Sequence, residues 1–131
     1  MKIMIVDDHS RMREMMHTLF TEAGAEVREF GNGTEAMQAY DCFRPDWVFM
    51  DATMNELDGL AATRQLLSSY AEARVVVLSD ESSTQLRRAA RASGACCFLT
   101  KDFLLESLGQ HRGAPATKLE PLWMTQTWND L

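Results

Sequence analysis

The chain predicts an α/β fold in which a five-stranded parallel sheet is covered by helices on both faces. Three observations carry this expectation. Five short apolar runs alternate with five stretches of helical period, a new run beginning about every 20 to 28 residues, which is the rhythm of successive βαβ units with right-handed crossovers. The runs are continuously apolar rather than alternating, as strands buried on both faces are; Val75-Val76-Val77-Leu78 is the clearest. Four of the five runs stop on residues of chemical interest.

Lys2 to Val6 reads as the first strand and ends at Asp7-Asp8-His9-Ser10. Met12, Met15, Met16, Leu19, Phe20 and Ala23 then form one stripe at helical spacing. Ser10 is the expected cap of this helix and Gly24 its stop. Ala25 to Phe30 reads as the second strand. Asn32 with Glu35 resembles a capping box for a second helix that runs to about Tyr40, with Ala36, Met37 and Tyr40 inward. Pro45 closes that connection. Trp47 to Met50 reads as the third strand, running into Asp51. Asp58-Gly59 opens a third helix, with Leu60, Leu67 and Tyr70 as core contacts. Val75 to Leu78 is the fourth strand, stopping at Ser79-Asp80. A fourth helix spans Ser83 to Ser93, with Leu86, Ala89 and Ala90 inward and Arg87 and Arg91 outward; Gly94 ends it. Ala95 to Leu99 is the fifth strand, stopping at Thr100-Lys101, and Asp102 caps a fifth helix through Leu108.

Beyond Leu108, Gly109, Gly113, Pro115 and Pro121 argue against a long helix. Residues 109–131 read as a C-terminal tail, flexible or docking on a partner or on the domain itself. Trp123 and Trp128 favour docking, and Met124, Trp128 and Leu131 share a helical face.

With 131 residues the chain makes one domain with a real core. The formal charge of −6 disfavours a phosphate-backbone surface. No apolar run approaches the roughly 18 residues of a membrane span. The three cysteines, Cys42, Cys96 and Cys97, form no metal or disulfide framework. Cys96 and Cys97 read as buried thiols in an apolar run, which places the chain in a reducing compartment, the cytoplasm.

In a parallel sheet Asp7, Asp8, Asp51, Ser79 and Lys101 all fall at the carboxyl ends of strands, the edge where open α/β sheets bind ligands. Clustered carboxylates repel, and a divalent cation relieves the repulsion. An all-oxygen donor set favours Mg²⁺. Lys101 supplies a point charge suited to a phosphoryl oxygen, Ser79 a hydroxyl donor, and Asp51, at the middle strand end, the natural nucleophile. His9 and His17 read as solvent-facing, with His9 near enough to meet a phosphodonor.

These motifs, in order and each at a strand end, closely resemble the receiver domain of bacterial two-component response regulators over residues 1–108: Asp7-Asp8, Met50-Asp51 through Asp58-Gly59, Leu78-Ser79 and Phe98-Leu99-Thr100-Lys101. The resemblance implies a flavodoxin-like, doubly wound sheet in the order 2-1-3-4-5 with five helices. It implies that a sensor histidine kinase or phosphotransfer protein supplies a phosphoryl group to Asp51. Asp8, Asp51 and the backbone carbonyl of Thr53 would ligate Mg²⁺, with Asp7 acting largely through water. Lys101 and Ser79 would contact the phosphoryl group, and Phe98 would turn inward as Ser79 swings toward it. The surface of the fourth helix, fifth strand and fifth helix would then change for a downstream effector or a phosphorylation-dependent homodimer. Such a chain is a signalling module rather than an enzyme; a phosphatase of the dehalogenase type generally needs an acid where Thr53 stands.

Lys101-Asp102 replaces the commoner Lys-Pro and is similar to receivers of the NarL/LuxR type, so the chain is either a standalone receiver or a fragment of a longer regulator. Asn55 stands where the family usually has proline, and Phe98 lacks the hydroxyl of the common tyrosine. Asp80 stands where a small residue is usual. An acid aimed inward there would repel phosphate, and the alternative function is a phosphorylation-independent interaction module.

Overall fold

The apolar runs pair into one parallel sheet in the order β2-β1-β3-β4-β5. The computed structural model describes residues 1–54, 57–124 and 128. The strands are β1 (Lys2–Val6), β2 (Glu26–Phe30), β3 (Trp47–Asp51), β4 (Val75–Ser79) and β5 (Cys97–Thr100). Between and after them lie α1 (Ser10–Glu22), α2 (Gly33–Phe43), α3 (Gly59–Ser69), α4 (Thr84–Ala92), α5 (Lys101–Gln110) and α6 (Ala116–Met124). This is the flavodoxin-like arrangement.

Alternation along each strand divides the core in two. Ile3, Ile5, Trp47, Phe49, Val76 and Leu78 face a layer built from α1, α5 and α6. Met4, Val6, Val48, Met50, Val75 and Val77 face α2, α3 and α4. All five residues of β3 and of β4 are buried, so the strands that carry Asp51 and Ser79 are the most firmly held.

Several helix ends differ from the sequence expectation. Ser10 is the first helical residue of α1, and the cap position falls to His9, whose side chain does not cap. The His9 amide is instead taken by Asp7 Oδ1 at 2.8 Å. In α5 the cap is Thr100, which accepts from the Phe103 amide at 3.2 Å; Asp102 sits in the first turn, where its charge suits the helix dipole. The cap Asn32 is as expected and accepts from the Glu35 amide; Asp58 and Ser83, at the expected helix starts, also cap, accepting from the Ala61 and Leu86 amides.

The inward stripe of α3 is Ala62, Thr63 and Leu66, while Leu60, Leu67 and Tyr70 are partly buried around it. Packing explains the rotation: a Cβ on Gly33 would lie 2.8 Å from Ala62 Cβ, so α2 and α3 meet over small residues and the large ones flank the seam. Met37 is likewise partly buried beside the fully enclosed Ala36 and Tyr40. Arg87 is half-buried, not outward, with its guanidinium 5.5 Å from the Phe98 ring centre. Cys96 is exposed and Cys97 buried, because adjacent residues of an extended segment point to opposite sides. Burial pushes the Cys97 thiol up to about 12.

Among the described residues there are six helices rather than five. Gly109 lies inside α5, and Pro121 inside α6. Part of the stretch read as a tail is therefore packed on the domain. Trp123 is 1% exposed and meets the rings of Phe20, Trp47 and Phe49 edge-on at 5.3–6.0 Å. The Ala116 amide donates to Ala23 O at 2.8 Å, and Trp47 Nε1 to Glu120 Oε2 at 3.1 Å. Trp128 is partly buried against the other core layer, Met124 is exposed, and Leu131 and Asn55 lie outside the described residues.

Candidate functional site

Four strand ends build the site. β1 runs into Asp7, whose amide donates to Phe30 O at 3.0 Å and whose own carbonyl accepts from Arg13 Nη1 at 2.6 Å. Asp51 is the last residue of β3, and the following Ala52 amide donates to Leu78 O at 2.7 Å. Ser79 closes β4 and Lys101 opens α5 directly after β5. The sheet register thus aligns these side chains at one edge.

The arrangement is a nearly dry charge cluster. Asp7 is 0% exposed, Asp51 2% and Lys101 6%. Lys101 Nζ lies 3.0 Å from Asp7 Oδ2 and 3.4 Å from Asp51 Oδ1. Thr53 donates its amide to Asp51 Oδ1 at 3.2 Å. Burial, reinforced by the Asp7 charge and opposed by Lys101, pushes the Asp51 carboxyl up to about 6. Burial alone would depress Lys101, but Asp7 and Asp51 outweigh it and hold the ammonium above its ordinary range.

Gly59 fixes the backbone beneath Asp51. Its amide donates to Ala52 O at 3.0 Å, and a Cβ there would stand 1.8 Å from the Asp51 carbonyl oxygen. No side chain fits. The sequence marks this glycine only as a helix start; its close approach to Asp51 is a tertiary fact.

The remaining predicted residues occupy the rim or the layer below. Ser79 Oγ accepts from the Glu81 amide at 3.3 Å. Phe98 is buried, at 1% exposure, with the Arg87 guanidinium 5.5 Å from its ring centre. Asp80 has a side chain 82% exposed, with Oδ1 3.8 Å from Lys101 Nζ; it stands at the mouth of the crevice with its carboxylate in water. His17 pairs with Glu29 at 2.7 Å.

His9 is solvent-facing at the site's rim, as expected, with its side chain 62% exposed. Its Nδ1 lies 3.1 Å from Asp7 Oδ1, 3.0 Å from Asp8 Oδ1 and 3.8 Å from Asp51 Oδ2.

The residues present fit a divalent cation. Asp7, Asp8, His9 and Asp51 each offer a ligand atom, all within 4.8 Å of one another. Asp51 Oδ2 is buried and accepts no hydrogen bond, which leaves a desolvated oxygen lone pair facing the cluster.

Residues 3–111 match the family model for the response regulator receiver domain, and the chain belongs to that family. Among its relatives is chemotaxis protein CheY of Thermotoga maritima, 36% identical over 103 residues, covering 78% of this chain and 86% of CheY. Response regulator MprA of Mycobacterium avium is 35% identical over 108 residues, covering 82% of this chain but 47% of MprA. A solved CheX–CheY–BeF3–Mg²⁺ complex from Borrelia burgdorferi contains a similar chain, with TM-score 0.72, 25% identity, and coverage of 80% of this chain and 84% of that one. Receiver domains are signalling domains of two-component systems, not enzymes in the ordinary sense. They bind Mg²⁺ in an acidic pocket and interact with histidine kinases, phosphotransfer proteins and effectors. Among the described residues no helix is long and apolar enough to cross a membrane.

Proposed function

We propose that Asp51 accepts a phosphoryl group from the phosphohistidine of a sensor kinase or phosphotransfer protein. The observation that carries this reading is the Asp51 carboxylate itself: buried at the end of β3, paired with Lys101 at 3.4 Å, and left with one oxygen free of hydrogen bonds. A carboxyl that titrates near 6 is still mainly ionised at neutral pH and is a stronger base than an ordinary aspartate.

In the transfer, an Asp51 oxygen forms the new O–P bond as the P–N bond to the donor imidazole breaks and that nitrogen recovers its electron pair. Lys101, paired with Asp7 and Asp51, would turn from them to a phosphoryl oxygen. Ser79, whose oxygen accepts from the Glu81 amide, would donate its own hydroxyl to another. Asp8, Asp51 and the Thr53 carbonyl would hold Mg²⁺, with Asp7 behind them; when bound, the ion neutralises the carboxylates and the phosphoryl oxygens between them. The modification adds about −1.5 to −2 charges and three acceptor oxygens. Drawing Lys101 and Ser79 toward these oxygens strains the Ser79–Glu81 contact at the start of the segment leading to α4. The change passes to the α4–β5–α5 surface, which serves an effector, an output domain or a second copy of the chain. The Mg²⁺ of the Borrelia complex supports the ion, and the exposed Asp80 carboxylate supports phosphoacceptance over a phosphorylation-independent module. The free thiols of Cys42 and Cys96 agree with a cytoplasmic setting.

Intact mass after incubation with acetyl phosphate tests this. The expected result is one added phosphoryl group that requires both Mg²⁺ and Asp51 and is absent in Asp51→Asn. An unmodified wild type with metal bound would overturn it.

A further inference from the structure

Asp7 carries its carboxylate where the chain has no regular structure to hold it. β1 ends at Val6 and α1 begins at Ser10, so Asp7, Asp8 and His9 bridge the two. The backbone of this bridge decides where the Asp7 side chain points, because allowed rotamers follow the backbone that carries them. Arg13 holds both ends of it. Its amide donates to His9 O at 3.1 Å and its Nη1 to Asp7 O at 2.6 Å. The second bond is charge-assisted and comes from a side chain only 21% exposed. Helical side chains lean toward the N-terminus of their helix, which carries the guanidinium back over the bridge. A cation in the opening turns runs against the helix dipole, so the contact with Asp7, not α1 itself, is what this arginine stabilises. Its Nε meets Glu29 Oε1 at a longer 3.4 Å, and the other Glu29 oxygen pairs with His17 at 2.7 Å. Asp7 in turn holds the His9 amide on Oδ1 at 2.8 Å and Lys101 Nζ on Oδ2 at 3.0 Å. A shift of the Asp7 backbone therefore reaches the ammonium that faces Asp51.

We infer that Arg13 is a positioning residue for phosphoryl acceptance at Asp51: it locks the Asp7 carbonyl, and through it the carboxylate that orients Lys101. The inference rests on the phosphoacceptance reading given above. Arg13 acts through Asp7 and not on the phosphoryl group.

The test compares labelling by acetyl phosphate at saturating Mg²⁺, followed by intact mass where every variant is folded, with amide hydrogen exchange on the full chain. Arg13→Met keeps an apolar stem and removes the guanidinium. It should slow labelling about tenfold or more, as loss of a supporting contact behind a reacting centre does. The His9 amide reports the Asp7 carboxylate; it should exchange about tenfold faster in Arg13→Met while the β3 and β4 amides stay protected. Glu29→Gln keeps an oxygen for Nε and should label within about twofold of wild type. Labelling at the wild-type rate in Arg13→Met overturns the inference. Slow labelling with an unchanged His9 amide also overturns it, since the effect would not pass through Asp7. Glu29→Gln slowed as far as Arg13→Met overturns it too, because the tie between α1 and β2 would then be the cause. A wild type that takes no phosphoryl group overturns the phosphoacceptance reading and the inference with it, a result that none of the other outcomes shares.

Discussion

A carboxylate held among other carboxylates in a dry crevice costs the fold stability whenever it is ionised. Asp51 is that residue. Its native carboxyl titrates near 6 against an ordinary 3.8, so the folded protein binds this proton more tightly than the unfolded chain does. The cost is therefore absent below about pH 4, grows between about pH 4 and 6, and is complete above that range. Without metal, Asp51→Asn should be the more stable protein at pH 7, by on the order of 1–3 kcal/mol, and the gap should close as pH falls to 4. Urea melts in a chelating buffer across that range check the sign. Gly59 makes the complementary case at the same scale. Gly59→Ala forces a carbon to within 1.8 Å of the Asp51 carbonyl, so the backbone must move. The expected loss is about 1–3 kcal/mol or more, together with slower phosphoryl acceptance, because the shift lands on the acceptor residue. Thermal melting and the mass assay read the two effects separately.

At the scale of elements, α6 closes the lower part of the α1–α5 face. Its Trp123 fills the space between Phe20, Trp47 and Phe49. Trp123→Ala should cost about 3–5 kcal/mol, as removal of a fully buried aromatic does. It should leave metal binding and phosphoryl acceptance intact at temperatures where the variant is folded. A chemical denaturation curve with the mass assay alongside tests both halves. On the opposite face, α4 presents Arg87 over Phe98. A residue of α4 thus rests on a ring of β5.

For the whole molecule, a chain of net charge −6 concentrates buried acids at one sheet edge with one ammonium among them. A cation bound only by the folded form stabilises it by mass action, roughly 2.7 kcal/mol at a hundredfold excess over Kd. This corresponds to a rise in Tm of several degrees. Mg²⁺ should raise the wild-type Tm in this way and raise that of Asp51→Asn much less, as scanning calorimetry would record. The MprA relative is about twice the length matched here, whereas CheY is matched over most of its length. The same receiver unit is therefore found both nearly alone and as part of a longer regulator.

The sequence by itself determined the sheet, its helices and the placing of Asp7, Asp51, Ser79 and Lys101 at one edge, because these follow from local signals: continuous apolar runs, helical stripes, and polar residues where the runs stop. The parallel topology converts those stops into a common edge without further information. What tertiary structure decided depends on distances between segments far apart in the chain. The Gly33–Ala62 seam turned α3 so that Leu66 rather than Leu67 faces inward. The aromatic cavity beneath α1 drew Trp123 into the core and made a helix of a stretch rich in breakers. The contact with Phe98 brought Arg87 in from the surface. The direction of the Asp80 and His9 side chains, one into water and the other among three carboxylates, is likewise a property of the assembled crevice. No periodicity encodes it, since side-chain direction outside regular structure is set by what surrounds it.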